Sequence, residues 1–379
     1  MKIGIDYTSA VSQGAGIGRY TRELIRAVLA LPSDHYFSLF YASRTNIQES
    51  EIRNQRSEIH HLRFHDKWLT RIWHRARLPI PIEVVIGKID LFHSPDFTLP
   101  PTMPGVPTLL TVHDLSFMRD PDSAWPSLRA YLMQAVPRSV KRATHLLADS
   151  QATKDDLIDL FKTPPEKITV LYSGVDARFT PIRDRAEIDR VREKYKIGPS
   201  PFALSVGTLQ PRKNYRRLIE AYAKLNNHRL HLVIGGGRGW MFDDLFTLVQ
   251  SLQLEDRVHF IGFVKDEDLS TLYSAADLFV YVSLYEGFGL PLLEAMACGT
   301  PVIGSNTSSL PEVIGDVGLQ VDPKDVDAIA QAMLQMLTRS DWRDRSVAAG
   351  IDRAKLFTWD KAAQQLLSIY EQLSYRKRE

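Results

Sequence analysis

Apolar positions along the chain keep switching between a strand period and a helix period. Lys2 to Tyr7 puts Ile3, Ile5 and Tyr7 on one side, then breaks into Ser12-Gln13-Gly14-Ala15-Gly16-Ile17-Gly18. Arg19 to Leu31 follows with Tyr20, Leu24, Ala27, Val28 and Leu31 on one helical face. Strand, glycine loop and helix in that order open a Rossmann-like domain. Further apolar runs at Phe37–Tyr41, Ile89–Pro95, Thr108–Asp114, His145–Ser150 and Ile168–Tyr172 read as strands. Ser127 to Lys141 reads as a helix, and Ser150 as the cap of another, with an Asp at about N3. Asn46 to Glu58 is polar and predicts a surface loop or edge.

Phe179 to Glu193, proline then charged, predicts a linker and an entry helix. A second alternating series begins at Phe202–Thr208 and runs through His231–Gly237, Val258–Val264 and Leu278–Leu284 to Val321, with a helix from Tyr215 to Leu225. Asp325–Leu337 and Thr358–Leu373 are amphipathic helices. The expected fold class is α/β: two Rossmann-like, doubly wound domains, residues 1–180 and 181–358.

Most of the chemistry lies in Tyr285-Glu286-Gly287-Phe288-Gly289-Leu290-Pro291-Leu292-Leu293-Glu294-Ala295-Met296-Ala297-Cys298-Gly299-Thr300-Pro301. Pro291 suits a first helical turn, and Gly299 with Pro301 suits an exit. The expected unit is strand, glycine elbow, short helix, strand. N–H groups of Phe288, Gly289 and Leu290 at a helix N-terminus suit an anion. Glu286 and Glu294 beside such an elbow suit a ligand with both phosphate and vicinal hydroxyls, because a carboxylate accepts two hydrogen bonds. A nucleotide sugar is such a ligand; the bland alternative is a buried βαβ unit with incidental acids.

Other candidates stand at strand ends. Arg212 and Lys213 follow Gly207-Thr208 at a strand-to-helix turn and could clamp a diphosphate, one bidentately and one as a point charge; the alternative is a solvated charged turn. Gly235-Gly236-Gly237 suits close approach of a nucleotide. His113-Asp114 ends an apolar strand, where open α/β sheets bind ligands. Asp120-Pro121-Asp122 lacks a preceding apolar strand and reads as a turn, not a metal pair. The first glycine loop is no true Gly-x-Gly-x-x-Gly, and Ala42-Ser43-Arg44 offers no ribose acid after the second strand, which argues against a dinucleotide.

Composition narrows the classes. The 379 residues are 44% hydrophobic and 24% charged, which is ordinary for a globular chain of about two domains. A net charge of +2 gives no reason to expect nucleic acid. One cysteine, Cys298, allows no internal disulfide and fits a reducing, cytoplasmic setting. Neither a secretory leader nor an apolar run of the ~20 residues needed to span a bilayer is read, so contact with the inner face of a membrane would be peripheral. One stretch suits that contact: Arg63 to Arg77, with Leu69, Ile72, Trp73 and Ala76 at helical spacing among Lys67, Arg71, Arg75 and Arg77. The alternative is a helix packed on its own domain.

The Glu286–Glu294 stretch resembles the Glu-x7-Glu motif of retaining GT-B glycosyltransferases, the large group that includes bacterial mannosyltransferases of surface-polysaccharide assembly. The resemblance covers nearly the whole chain and implies two domains facing a cleft, with the helix of residues 359–379 crossing back to the first. It implies that the Gly16–Gly18 loop faces donor diphosphate and acceptor, that His113 lies beside the reacting sugar carbon, and that the base rests near Val264 and Lys265. Glu286 would hold sugar hydroxyls and Glu294 the ribose. Thr208 stands where many relatives have Arg, which leaves the charge to Arg212 and Lys213. No metal or other cofactor is implied. The Gly-Thr-Leu-x-Pro-Arg-Lys-Asn wording is similar to enzymes using GDP-mannose, with a glycan or lipid-linked acceptor. A UDP-sugar donor, a nucleotide-sugar epimerase and a non-catalytic binding subunit are the alternatives.

Overall fold

The computed structural model describes residues 1–14, 16–44, 55–225 and 227–375. Most of the Asn46–Glu58 stretch and the basic tail from Arg376 lie outside them. Two compact units result: Met1–Leu115, Ser127–Gly174 and Thr358–Glu379 form one, and Ser116–Pro126 with Val175–Phe357 the other.

The first unit holds seven parallel strands: β1 (Lys2–Asp6), β2 (Tyr36–Ala42), β3 (Ser57–Leu62), β4 (Leu91–Ser94), β5 (Thr108–Val112), β6 (His145–Ala148) and β7 (Ile168–Val170). Their order is β3-β2-β1-β4-β5-β6-β7, so the winding reverses between β1 and β4. The register Ile3↔Leu91 and Ile5↔His93 brings the ends of both strands together. The helix Ile17–Ala30 starts two residues earlier than the pattern predicted. Gly18 therefore belongs to its first turn, not to the loop. It is buried there because a Cβ would stand 1.9 Å from the Gln13 carbonyl oxygen. Arg22 holds the same loop by donating to the carbonyls of Ala10 and Gln13.

The helix Trp359–Tyr375 packs within this unit. The Tyr370 hydroxyl lies 2.7 Å from His93 Nδ1, and Gln365 donates to the Val170 carbonyl. The stretch at Lys67–Arg75 departs from expectation. Lys67–Leu69 is one α-helical turn, and Thr70–Arg75 widens into a π-helix, with Ala76 N–H bonded to the Arg71 carbonyl.

The second unit holds six parallel strands: β8 (Phe202–Val206), β9 (His231–Gly235), β10 (Val258–Gly262), β11 (Leu278–Tyr281), β12 (Val302–Ser305) and β13 (Leu319–Val321). The order β10-β9-β8-β11-β12-β13 reverses between β8 and β11. Alternate residues serve two cores, as a sheet buried on both faces requires. Phe202, Leu204 and Phe279 pack with Leu292 and Leu293 on one face; Ala203, Leu278 and Val280 pack with Leu218 and Ile219 on the other. The short helix Leu290–Ala297 follows an elbow at Gly289, whose φ of +111° favours glycine and where a Cβ would meet Leu310 at 2.6 Å.

Candidate functional site

Arg212, Lys213 and Glu286 meet at the reversal point of the second sheet. After β8 the chain passes Gly207 and forms a single 3-10 turn, Pro211–Lys213. Asn214 closes that turn in the left-handed region, its side chain donating to the carbonyls of Val282 and Pro323. This pins the turn to the end of β11. Gly207 leaves room for Lys213: a Cβ there would lie 3.3 Å from Lys213 Cε. From the β11 side comes Glu286, buried at 6% exposure. Arg212 Nη1 donates at 2.6 Å to Glu286 Oε2 and to the Tyr285 carbonyl. Lys213 Nζ reaches Glu286 Oε1 and the Tyr281 hydroxyl, each at 2.5 Å.

Burial alone would raise the Glu286 carboxyl, but the charges of Arg212 and Lys213 outweigh it and hold it down to about 2. Glu286 is thus a carboxylate at neutral pH, shared by two cations. The predicted clamp and the predicted sugar carboxylate form one cluster rather than two separate features. Ser308 and Ser309 complete its scaffold and were not singled out in the sequence. Ser308 Oγ accepts from the Glu286 N–H, and Ser309 donates to the carbonyls of Glu286 and Phe288. The polar run from Ser305 to Ser309 after an apolar strand was the available signal.

Glu294 lies elsewhere on the same elbow. It is 3% exposed and accepts from the Tyr273 hydroxyl at 2.9 Å. Burial and the Glu294 charge together push the Cys298 thiol up to about 12, which makes it an inert packing group. Phe288 is buried edge-on against Phe357, while Leu290 is half-buried.

The glycine run serves protein backbone first. A Cβ on Gly236 would fall 1.9 Å from the Gly207 carbonyl oxygen, and Gly236 N–H bonds to the Gly262 carbonyl. Gly235 packs against Val264, and only Gly237 of the three faces open space. Thr208 is half-buried beside this junction. In the first unit, Gly16 is exposed with open space around it, unlike Gly18.

His113 follows β5 in the first unit and is buried. Its Nδ1 faces Asp149 Oδ2 at 2.7 Å, and its Nε2 faces the Pro95 carbonyl at 3.1 Å. The Pro95 carbonyl needs a proton on Nε2, and a second proton lies between Nδ1 and the Asp149 carboxylate. Burial opposes a charge on the ring, but the charge and hydrogen bond of Asp149 prevail and raise the ring to about 9. Burial pushes the Asp149 carboxyl up as well. The Pro95 carbonyl fixes one proton on Nε2. A raised histidine stabilises the fold fully below its unfolded value near 6.5 and loses that contribution as pH climbs through 9. Unfolding free energy should therefore fall between pH 6.5 and 9.5, and His113→Gln should flatten the fall. Equal pH slopes for both proteins in denaturant titrations would contradict the pair.

Sequence reasoning missed a cavity of about 100 Å³ beside this end of the first sheet, lined by Asp6, Thr8, Ser12, Asp66, Trp73 and Asp96 among others. Burial, then the charges of Asp96 and Asp66, push Asp6 up to about 6. The signal was its place at the end of β1, with Asp96 just past β4. Among the described residues no group of three or more His, Cys, Asp or Glu could hold a metal ion.

Comparison with known proteins follows the same division. Residues 14–179 match the family "Glycosyltransferase Family 4", and residues 187–353 match "Glycosyl transferases group 1". The chain is 35% identical over 374 residues to O-antigen chain mannosyltransferase B of Escherichia coli, covering 94% of this chain and 96% of that one. Among solved structures, sucrose-phosphate synthase of Thermosynechococcus elongatus superposes with a TM-score of 0.77 at 22% identity, over 98% and 99% of the two chains. Anabaena HepE, in complex with UDP and glucose, gives 0.76 at 18%, over 98% and 100%. At such identities these two likenesses speak for the fold, GT-B, alone.

Proposed function

The chain belongs to the GT-B glycosyltransferases of the family 4 type, and on that premise we propose that it moves a mannosyl group from GDP-mannose to a glycan or lipid-linked acceptor, with retention of configuration, in the assembly of a surface polysaccharide. The observation that carries this reading is the Arg212–Glu286–Lys213 cluster at the reversal point of a parallel sheet, in a chain similar to an O-antigen mannosyltransferase. Open α/β sheets bind ligands at that point.

In this reading the second unit, with residues 181–358, takes the donor and the first takes the acceptor. Arg212 and Lys213 hold the diphosphate. The ligand arrives at two cations that Glu286 only half neutralises, so diphosphate and carboxylate share them. That sharing keeps Glu286 ionised and aimed beside the bond that breaks, where it accepts from sugar hydroxyls. Glu294 serves the ribose, and the backbone near Val264 and Gly235 the base. As the bond to the leaving diphosphate breaks, negative charge grows on phosphate oxygens that the two cations and the N–H groups of the Gly289–Leu290 elbow stabilise in place. The acceptor hydroxyl attacks from the same face and passes its proton to the departing phosphate, so no residue need form a covalent intermediate. His113, with both ring nitrogens committed, fixes the end of β5.

Because Arg212 and Lys213 meet the diphosphate charge in this account, turnover should persist in EDTA. Loss in chelator with recovery on Mg²⁺ or Mn²⁺ would overturn that part. The test of the function itself is product analysis from GDP-mannose and UDP-glucose, with and without acceptor glycan. Mannosyl transfer needs acceptor and releases GDP. An epimerase would convert the donor without acceptor, and a binding subunit would turn over nothing.

A further inference from the structure

The segment that walls the first unit's cavity has a second face. Asp66, Leu69, Thr70, Trp73 and His74 recur at helical spacing and line the cavity. Lys67, Trp68, Arg71 and Arg75 fall between them and are exposed. Trp68 is 51% exposed, with the Arg71 guanidinium 4.9 Å from its ring centroid. Arg71, Arg75 and Arg77 have no ion-pair partner among the described residues. From Arg75 to Ile80 every residue is exposed. Leu78, Ile80, Val84 and Met103 add large apolar side chains, Val84 being 69% exposed. The Met103 N–H bonds to Glu83 and the Ile82 N–H to the Pro101 carbonyl, so these residues form one ridge.

Part of that ridge's backbone is paired within the segment or lacks a donor. Pro79 and Pro81 have no N–H to desolvate. The Leu78 N–H bonds to the Ile72 carbonyl, and Trp73 Nε1 donates to the Ile80 carbonyl at 2.9 Å. A ridge with aliphatic tips, ringed by arginines that have no ion-pair partner among the described residues, matches the boundary of an anionic bilayer: apolar groups below, lipid phosphates above. Nucleic acid would use the cations but leave the aliphatic groups in water. A protein partner would have to supply acidic groups around an apolar centre, and the test includes it as an outcome.

We propose that the ridge formed by residues 67–84 and Met103 docks on an anionic membrane surface. This rests on the functional reading above and adds where the reaction happens. The inner wall of the same segment faces a cavity of carboxylates and hydroxyls, chemistry for a polyhydroxylated group rather than a phosphate. Docking by the outer face would hold that cavity at the lipid boundary, within reach of a lipid-linked acceptor.

The experiment is vesicle co-sedimentation of the full chain, using phosphatidylcholine with and without phosphatidylglycerol. Binding should require the anionic lipid, fall steeply as salt rises, and survive millimolar inorganic phosphate. Arg71→Glu/Arg75→Glu/Arg77→Glu should weaken it by roughly a hundredfold or more, each cation near the surface being worth about a factor of five. Trp68→Ala should weaken it several-fold. These positions are exposed, so the melting temperature should hold, and nucleoside diphosphate binding should be unchanged, which separates this proposal from the donor site. Equal binding to both vesicle types, indifference to the triple substitution, displacement by inorganic phosphate, or no vesicle binding would each overturn it. So would burial of the ridge in a stable protein complex.

Discussion

Glu286→Ala should cut turnover by about 10²–10³-fold while leaving nucleoside diphosphate affinity intact or tighter. Glu286 is the carboxylate that Arg212 and Lys213 share, at 2.6 and 2.5 Å. Removing it leaves both cations to a diphosphate ligand, which therefore loses nothing. The transferring sugar loses its acceptor group just as its ring gains positive charge, and an interaction that strengthens in the transition state is read in turnover, not in binding. The empty protein should suffer too. Two largely buried cations without their counter-charge cost about 3–5 kcal/mol, so the melting temperature should drop and recover in part when GDP is added. Glu294→Ala should behave differently: a ribose contact is the same in ground and transition state, so donor Michaelis constant and free GDP affinity should worsen together. Calorimetric titration beside initial rates decides. Loss of GDP affinity in Glu286→Ala as severe as in Glu294→Ala would end this division of roles.

The second large effect is expected from Arg212→Ala combined with Lys213→Ala. Each hydrogen bond to a charged diphosphate is worth about 1.5–3 kcal/mol. Together they should lower GDP and UDP affinity by at least about a hundredfold, with mannose-free and mannose-bearing nucleotides affected alike. The effect should be less than additive, because both cations also hold Glu286 and losing either frees it to move. A double variant that binds GDP like the parent would remove the clamp from the account.

Much of this was legible in the chain because parallel strands buried on both faces are continuous apolar runs. Phe202–Val206 and Leu278–Tyr281 stand out for that reason, and Arg212, Lys213 and Glu286 follow their ends. The pairing of those three was not legible. It depends on the reversal that sets β8 beside β11, a property of topology. The glycine run from Gly235 misled in a physical way: lacking a side chain suits a ligand and a neighbouring backbone equally, and at Gly236 the neighbour is Gly207. The helix Ser340–Ala354 escaped notice because its buried positions are small: Ser346, Gly350 and Ala354. They permit close packing on Met296 without an apolar stripe. Around Trp68 the spacing predicted a regular amphipathic helix with Leu69, Ile72, Trp73 and Ala76 on one face; Leu69 and Trp73 do line the cavity, whereas Ala76, just after the π-turn, is exposed.

Among the described residues no helix is long and apolar enough to cross a membrane. The proposed docking of the Trp68 ridge has its own test, and the donor site stands or falls by itself. Its most direct test is calorimetric titration of the parent protein with GDP-mannose, GDP, UDP-glucose and UDP. The account predicts saturable binding of GDP-mannose, shared by GDP and weaker for the uridine pair, and weakened at least about a hundredfold by the Arg212 and Lys213 double substitution. Binding of none of the four, or GDP-mannose binding that survives the double substitution unchanged, would contradict it.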